Sequence, residues 1–151
     1  MAGSFRNSAS FGKRQEFVAV AELLKRDFDV YMTLVDDQQI DCVVRLDAKR
    51  YLDIQIKARS RQAKSPGVFS ALNVSPRKNL FFVFYDESLD THWVIPSQDF
   101  KKKGLANIGK SGKNTGTFRL QLANHNKAGP KARPKFANYE NNFDLLRKYA
   151  T

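Results

Sequence analysis

The sequence predicts a mixed α/β (α+β) fold in a single domain over residues 1–151, and three observations carry that prediction. Residues 11–26 repeat apolar side chains at helical spacing, residues 51–58 alternate polar with apolar side chains, and residues 80–85 (Leu-Phe-Phe-Val-Phe-Tyr) form a continuous apolar run. A helix, a half-exposed hairpin and a strand buried on both faces describe a central sheet flanked by helices. The 151 residues are 42% hydrophobic and include twelve Phe, which supplies one sizeable core and leaves too little for two.

The helix over residues 11–26 takes Ser10 as its N-cap and gathers Arg14, Gln15, Glu22 and Lys25 on a polar face. Glu16 falls instead beside Val20 and Leu23, toward the protein, where a carboxylate requires a partner. A first strand over 28–34, a turn at Asp36, Asp37 and Gln38, a second strand over 40–46 and a short loop at Asp47, Ala48 and Lys49 lead into a third strand over 51–58. Residues 65–76 are mixed in character, with a short helix expected near Phe69. The apolar run 80–85 is the central strand and residues 91–95 its neighbour. A short helix begins at Ser97. Residues 104–116, rich in Gly, Lys and Asn, read as a loop, 117–122 as a strand, 123–135 as a basic connection and 138–149 as a C-terminal helix.

Successive side chains on a strand point to opposite faces. Tyr51, Asp53, Gln55 and Lys57 therefore share one face of the third strand, while Leu52, Ile54, Ile56 and Ala58 share the core face. Centring the hairpin on Ala48 pairs Cys42 with Ile54 and Val44 with Leu52. The same register sets Asp41 opposite Gln55, at the ~5 Å separation of directly opposed Cβ atoms. A slip of one residue would set the apolar side chains against the polar ones, so the hydrophobic pattern favours this parity.

The formal charge is +11 and unevenly spread. Residues 1–100 hold 14 basic and 13 acidic groups and residues 101–151 hold 12 and 2, so +10 of the +11 lies in the last third. Such a distribution suits a polyphosphate partner, since each neutralised phosphate releases counterions; a solvated basic surface is the alternative. The one cysteine, Cys42, cannot close an intramolecular disulfide, and its place in an apolar strand points to a buried thiol in a reducing, cytoplasmic setting. No apolar run reaches the ~20 residues of a membrane span, and the first ten residues lack the apolar stretch of a signal peptide. His92 and His125 have no zinc-like spacing. Residues 104–111 match the Gly-x4-Gly-Lys-Ser pattern, but neither a buried strand before nor a helix after them supports a nucleotide loop.

Asp41, Gln55, Lys57 and Glu16 together meet the needs of phosphodiester hydrolysis, which uses a divalent cation held by oxygen ligands and a positive side chain as negative charge builds. Mg²⁺, or Mn²⁺, accepts few protein ligands because it keeps much of its water. Asp41 is the first ligand, Gln55 offers its amide oxygen, Ile56 its carbonyl, and Glu16 a hold on a water or a second ion. Lys57 orients or deprotonates the attacking water. Each residue also has a structural reading: Glu16 as an ion-paired helix carboxylate, Asp41 as a turn residue, Gln55 and Lys57 as a solvated strand face. Arg59, Arg61 and Lys64 follow the third strand and can approach a phosphate backbone. One basic cluster (Lys101, Lys102, Lys103, Lys110, Lys113) falls in a segment at about 101–116 and a second (Lys127, Lys131, Arg133, Lys135) at about 123–136, both expected as DNA-contacting loops.

Glu16 on a helix, Ile40-Asp41 on a strand and Gln55-Ile56-Lys57 on the next strand resemble the motifs of the PD-(D/E)XK nuclease superfamily, with the matching segment covering residues 11–59. Ile40 stands where the family often has Pro, and Gln55 where it has Asp or Glu. The resemblance implies a restriction-endonuclease-like central mixed sheet, a Mg²⁺-dependent endodeoxyribonuclease acting on double-stranded DNA, and a small intron-encoded homing endonuclease as the nearest kind. One site per chain and two strands to cut imply a homo-oligomer of even number, a dimer or tetramer. A Holliday-junction-resolvase-like nuclease and a DNA-binding module whose site has decayed at Gln55 are the alternatives. An RNA-binding protein ranks last, because the paired aromatic-basic strands of an RNA-recognition motif are missing.

Overall fold

The structure, a computed structural model, describes residues 8–35, 38–126 and 129–148. Helix α1 (Ser8–Lys25) starts before Ser10, so Ser10 sits inside the first turn rather than capping it, and its carbonyl accepts a bond from Arg14 Nε. Ala19, Val20 and Leu23 are buried against the sheet. Gln15, expected on the polar face, is half-buried because it lies on the flank of that stripe, next to Ala19.

Five strands form the central sheet: β1 (Asp29–Met32), β2 (Cys42–Arg45), β3 (Tyr51–Arg59), β5 (Leu80–Asp86) and β6 (Thr91–Pro96), adjacent in that order. β2 and β3 pair in the register read from the hydrophobic pattern, Cys42 against Ile54 and Val44 against Leu52. Asp47 shapes the loop between them, its Oδ1 accepting the Lys49 and Arg50 N–H groups at 2.8 and 2.9 Å. Asp36 and Asp37, in the turn expected before β2, lie outside the described residues. β3 and β5 run parallel, which makes the sheet mixed, and every residue of β5 is buried.

The alternation along β3 and β5 divides the core in two. Ile54, Ile56, Phe81 and Val83 pack under α1 with Leu23, Phe28, Phe143 and Leu146. Phe82 and Phe84 face the other way, where Phe100 stacks on Phe82 at 5.3 Å and Phe69 meets Phe84 at 4.7 Å between ring centres.

Four segments differ from the sequence expectations. Residues around Phe69 form strand β4 (Val68–Leu72), because Val68 and Phe69 find partners in Gln121 and Leu120 of β8 (Asn114–Gln121). After α2 (Ser97–Lys103), residues 104–116 are no loop: β7 (Leu105–Ile108) pairs back on β8, completing a three-stranded sheet in the order β4-β8-β7. Residues 123–135 carry a second hairpin, β9 (Ala123–Asn126) with β10 (Gly129–Ala132). The expected C-terminal helix is a 3₁₀ helix (Pro134–Tyr139) and one α-helical turn, α3 (Leu145–Lys148). Asn141, at φ 50°, breaks the helix between them and exchanges backbone and side-chain bonds with His92 instead. No helix among the described residues is long and apolar enough to cross a membrane.

Candidate active site

Ile54 and Ile56 point toward α1, so Asp53, Gln55 and Lys57 project from the opposite face of β3. Asp41 stands just before β2, its N–H bonded to the Ile54 carbonyl at 2.9 Å. Thr33 clamps this stretch from β1, its hydroxyl donating to the Ile40 and Asp41 carbonyls at 2.6 and 3.0 Å. Past Cys42 the strand partner of β3 ends, and the Ile56 N–H faces that open edge. Oδ2 of Asp41 accepts from it at 2.6 Å. The N–H and C=O of one strand residue face the same edge, so the Ile56 carbonyl lies on the Asp41 side of β3 as well.

Glu16 approaches from α1, half-buried and paired with Lys13 at 2.6 Å. Cys42 reports its proximity to Asp41: burial pushes the thiol up to about 12, and the Asp41 and Glu16 carboxylates add to the shift. The Glu16 carboxylate is thus within electrostatic range of the same thiol as that of Asp41.

Gln55 is 4% exposed, and its Nε2 donates to Oε1 of Gln39 at 3.0 Å. Lys57 is half-buried and has no hydrogen-bond or ion-pair partner among the described residues. Asp53, one alternation back along β3, is engaged by Arg77 at 3.1 Å and does not restore the charge that Gln55 lacks. An open cleft of about 310 Å³ lies beside Gln55, lined also by Gln39, Asn73, Ser75 and Arg77. Gln39 and Arg77 carried no sequence signal, because only the folded hairpin brings them to this cleft. Two carboxylates and an amide are fewer acids than a typical metal cluster has, and no group of three His, Cys, Asp or Glu placed to hold a metal ion occurs among the described residues. The donors are nevertheless all oxygens, the chemistry that Mg²⁺ or Mn²⁺ takes with few protein ligands.

The basic residues divide by environment. Arg59 donates to the Ser65 carbonyl at 2.7 Å and Arg61 pairs with Glu87, so both brace the turn after β3, while Lys64 is exposed. Lys103 lies over the Tyr139 ring and Lys135 donates to the Lys103 carbonyl, which ties α2 to the 3₁₀ helix. Lys102 on α2 and Lys110 and Lys113 at the β7–β8 turn are exposed, and Arg133 is half-buried. Lys101 lies on α2 and Lys131 on β10. Lys127 lies outside the described residues.

No family model matches the sequence, and no curated protein matches it. Among solved structures, the bacterial homing endonuclease I-Ssp6803I is similar at a TM-score of 0.65 and 22% identity, covering 95% of this chain and 94% of that one. The Holliday junction resolvase Hjc of Archaeoglobus fulgidus aligns at a TM-score of 0.47 and 17% identity, over 74% of this chain and 84% of its own. With the mixed five-stranded sheet and the flanking α1, the chain shares the restriction-endonuclease-like fold of that homing endonuclease.

Proposed function

We propose that the protein is a divalent-metal-dependent endodeoxyribonuclease that cuts double-stranded DNA at specific sites, as a homing endonuclease does. The observation that carries this reading is the bond between Asp41 Oδ2 and the Ile56 N–H, which holds the acid against the Gln55-Ile56-Lys57 segment. Asp41, the Gln55 amide oxygen and the Ile56 carbonyl would hold Mg²⁺ or Mn²⁺, with Glu16 reaching in from α1. A cation bound there supplies electrostatic stabilisation of the charge that builds on the phosphate. Lys57, half-buried and unpaired among the described residues, orients the attacking water and adds positive charge beside it. Exposed Lys64, Lys102, Lys110 and Lys113 track the DNA backbone, with Lys101, Lys127, Lys131, Arg133 and Lys135 extending that basic field and Arg59 and Arg61 shaping the turn beside the scissile strand. The likeness in fold to a homing endonuclease supports a site-specific target. Two copies of the chain bring two sites to the two strands, so the working form is a homo-oligomer of even number.

Nicking of supercoiled plasmid with Mg²⁺, wild type beside Asp41→Ala and Lys57→Ala, tests the proposal: cutting by wild type that EDTA and both substitutions abolish is expected. A second reading, DNA binding without cleavage, is favoured by Gln55 in an acid's place; salt-sensitive binding with no nicking would establish it instead. A four-way junction run beside the linear duplex separates a site-specific enzyme from a junction nuclease, which would prefer the junction.

A further inference from the structure

We propose that Arg77 is a phosphate-binding residue of the cleft beside Gln55, gripping the DNA backbone one nucleotide away from the phosphate to be cut. This inference rests on the DNA-cutting reading above. The fold holds Arg77 at both its ends. Its backbone N–H donates to Ser97 Oγ at 2.9 Å, and its carbonyl accepts from the same hydroxyl at 2.8 Å. Ser97 is fully buried at the start of α2, so this clamp fixes the main chain just before β5. At the far end of the side chain, Nη2 of the guanidinium pairs with Oδ2 of Asp53 at 3.1 Å. Asp53 is the one partner that the guanidinium has among the described residues, whereas a guanidinium carries five N–H donors. Most of the donors are therefore left over. The Arg77 side chain is 44% exposed against 16% for Asp53, so the carboxylate lies beneath and the remaining N–H groups are open to the cleft that Arg77 lines.

The cleft has the chemistry of an anion site. The amides of Gln38, Gln39, Gln55 and Asn73 and the Ser75 hydroxyl line it with Arg77, and no carboxylate and no second cation among the described residues joins them. Asp53 and Gln55 are two steps apart on one face of β3, ~6.7 Å, which is close to the spacing of consecutive phosphates along a DNA strand. A phosphate seated on the guanidinium that Asp53 holds thus leaves its neighbour beside Gln55. A guanidinium held through one nitrogen keeps the rest of its planar fork for phosphate oxygens, and it waits in that position before DNA arrives.

Fluorescence anisotropy of a mixed-sequence DNA duplex bound to the full chain, in EDTA and across a salt series, tests the contact without cleavage. Arg77→Ala is expected to weaken binding and to lower the slope of log affinity against log salt by about 0.9, the loss of one phosphate contact. Arg77→Lys keeps the charge and is expected to keep the slope. Asp53→Asn removes the other half of the ion pair. It is expected to keep the slope as well and to bind as tightly as wild type or more tightly, since a carboxylate no longer competes with phosphate for the guanidinium. An unchanged slope in Arg77→Ala, or an equal loss of slope in Asp53→Asn, reduces the pair to a structural brace and overturns the role of Arg77 while leaving the nuclease reading standing. A wild-type chain that binds no duplex overturns this inference and the DNA-cutting reading together.

Discussion

Oδ2 of Asp41 takes the Ile56 N–H at 2.6 Å, so the carboxylate stands in for the strand neighbour that β3 loses where β2 begins. An unpaired N–H at a partly buried strand edge is costly, and this residue both closes the hairpin and faces the cleft side of β3. The two roles separate by substitution. Asp41→Asn retains an oxygen for the Ile56 N–H and is expected to cost less than about 1 kcal/mol, whereas Asp41→Ala leaves that group bare at about 1–3 kcal/mol. Urea midpoints measure the difference, and both variants are expected to lose cleavage.

Asp86 performs a wholly structural version of the same task. Fully buried at the end of β5, it accepts from the N–H groups of Gly67, Ser88 and Leu89 and from the Ser88 hydroxyl. Gly67 sits at φ 70° with the Ala123 Cβ 2.6 Å from where its own Cβ would be, so the entry to β4 packs directly against the start of β9. Asp86→Ala is expected to cost about 3 kcal/mol or more, with Gly67→Ala similarly severe, as thermal or urea unfolding would report.

The hairpin register and the buried strand β5 were legible because hydrophobic parity alone decides them: a shifted pairing would have exposed Ile54 and Cys42. Glu16 facing the protein followed from helical phase in the same way. The strands β4, β7, β9 and β10 were not legible. All are four or five residues long; β4 and β7 acquire their conformation from pairing with distant residues of β8 such as Gln121 and Arg119, and β7, β9 and β10 hold Asn, Gly or Lys, which read as loop. The C-terminal helix expected over 138–149 is broken at the left-handed Asn141, and the contact of Glu140 with Trp93 replaces a helical turn. Gln39 and Arg77 escaped notice since their relation to Gln55 and Asp53 exists only in the folded cleft.

His92 lies between the Tyr85 ring at 4.4 Å and the Phe143 ring at 5.7 Å, and burial holds its pKa below the ordinary 6.5. On acidification through 6.5 the unfolded chain takes up a proton that the folded chain refuses, so stability falls as pH drops below that value. The urea midpoint is expected to decline between pH 7.5 and 5.5, and to decline less in His92→Phe. Equal declines in the two proteins would remove His92 as the cause.

Lys110 and Lys113 occupy the exposed turn between β7 and β8, a two-stranded ribbon of the kind that fits a DNA groove. Replacing both with Ala is expected to lower the slope of log affinity against log salt by about 2, roughly one per phosphate contact removed. Filter binding or fluorescence anisotropy across a salt series measures it; an unchanged slope would place the DNA elsewhere on the surface.

The proposed activity requires an amide to do the work of an acid in the middle of β3. Mg²⁺-dependent plasmid cleavage by Gln55→Leu and Gln55→Glu, measured beside wild type, addresses it directly. Leucine keeps the bulk and removes the oxygen, so Gln55→Leu is expected to lose about 100-fold or more in rate, while Gln55→Glu retains or raises activity. Wild-type cutting by the Gln55→Leu variant would contradict the claim.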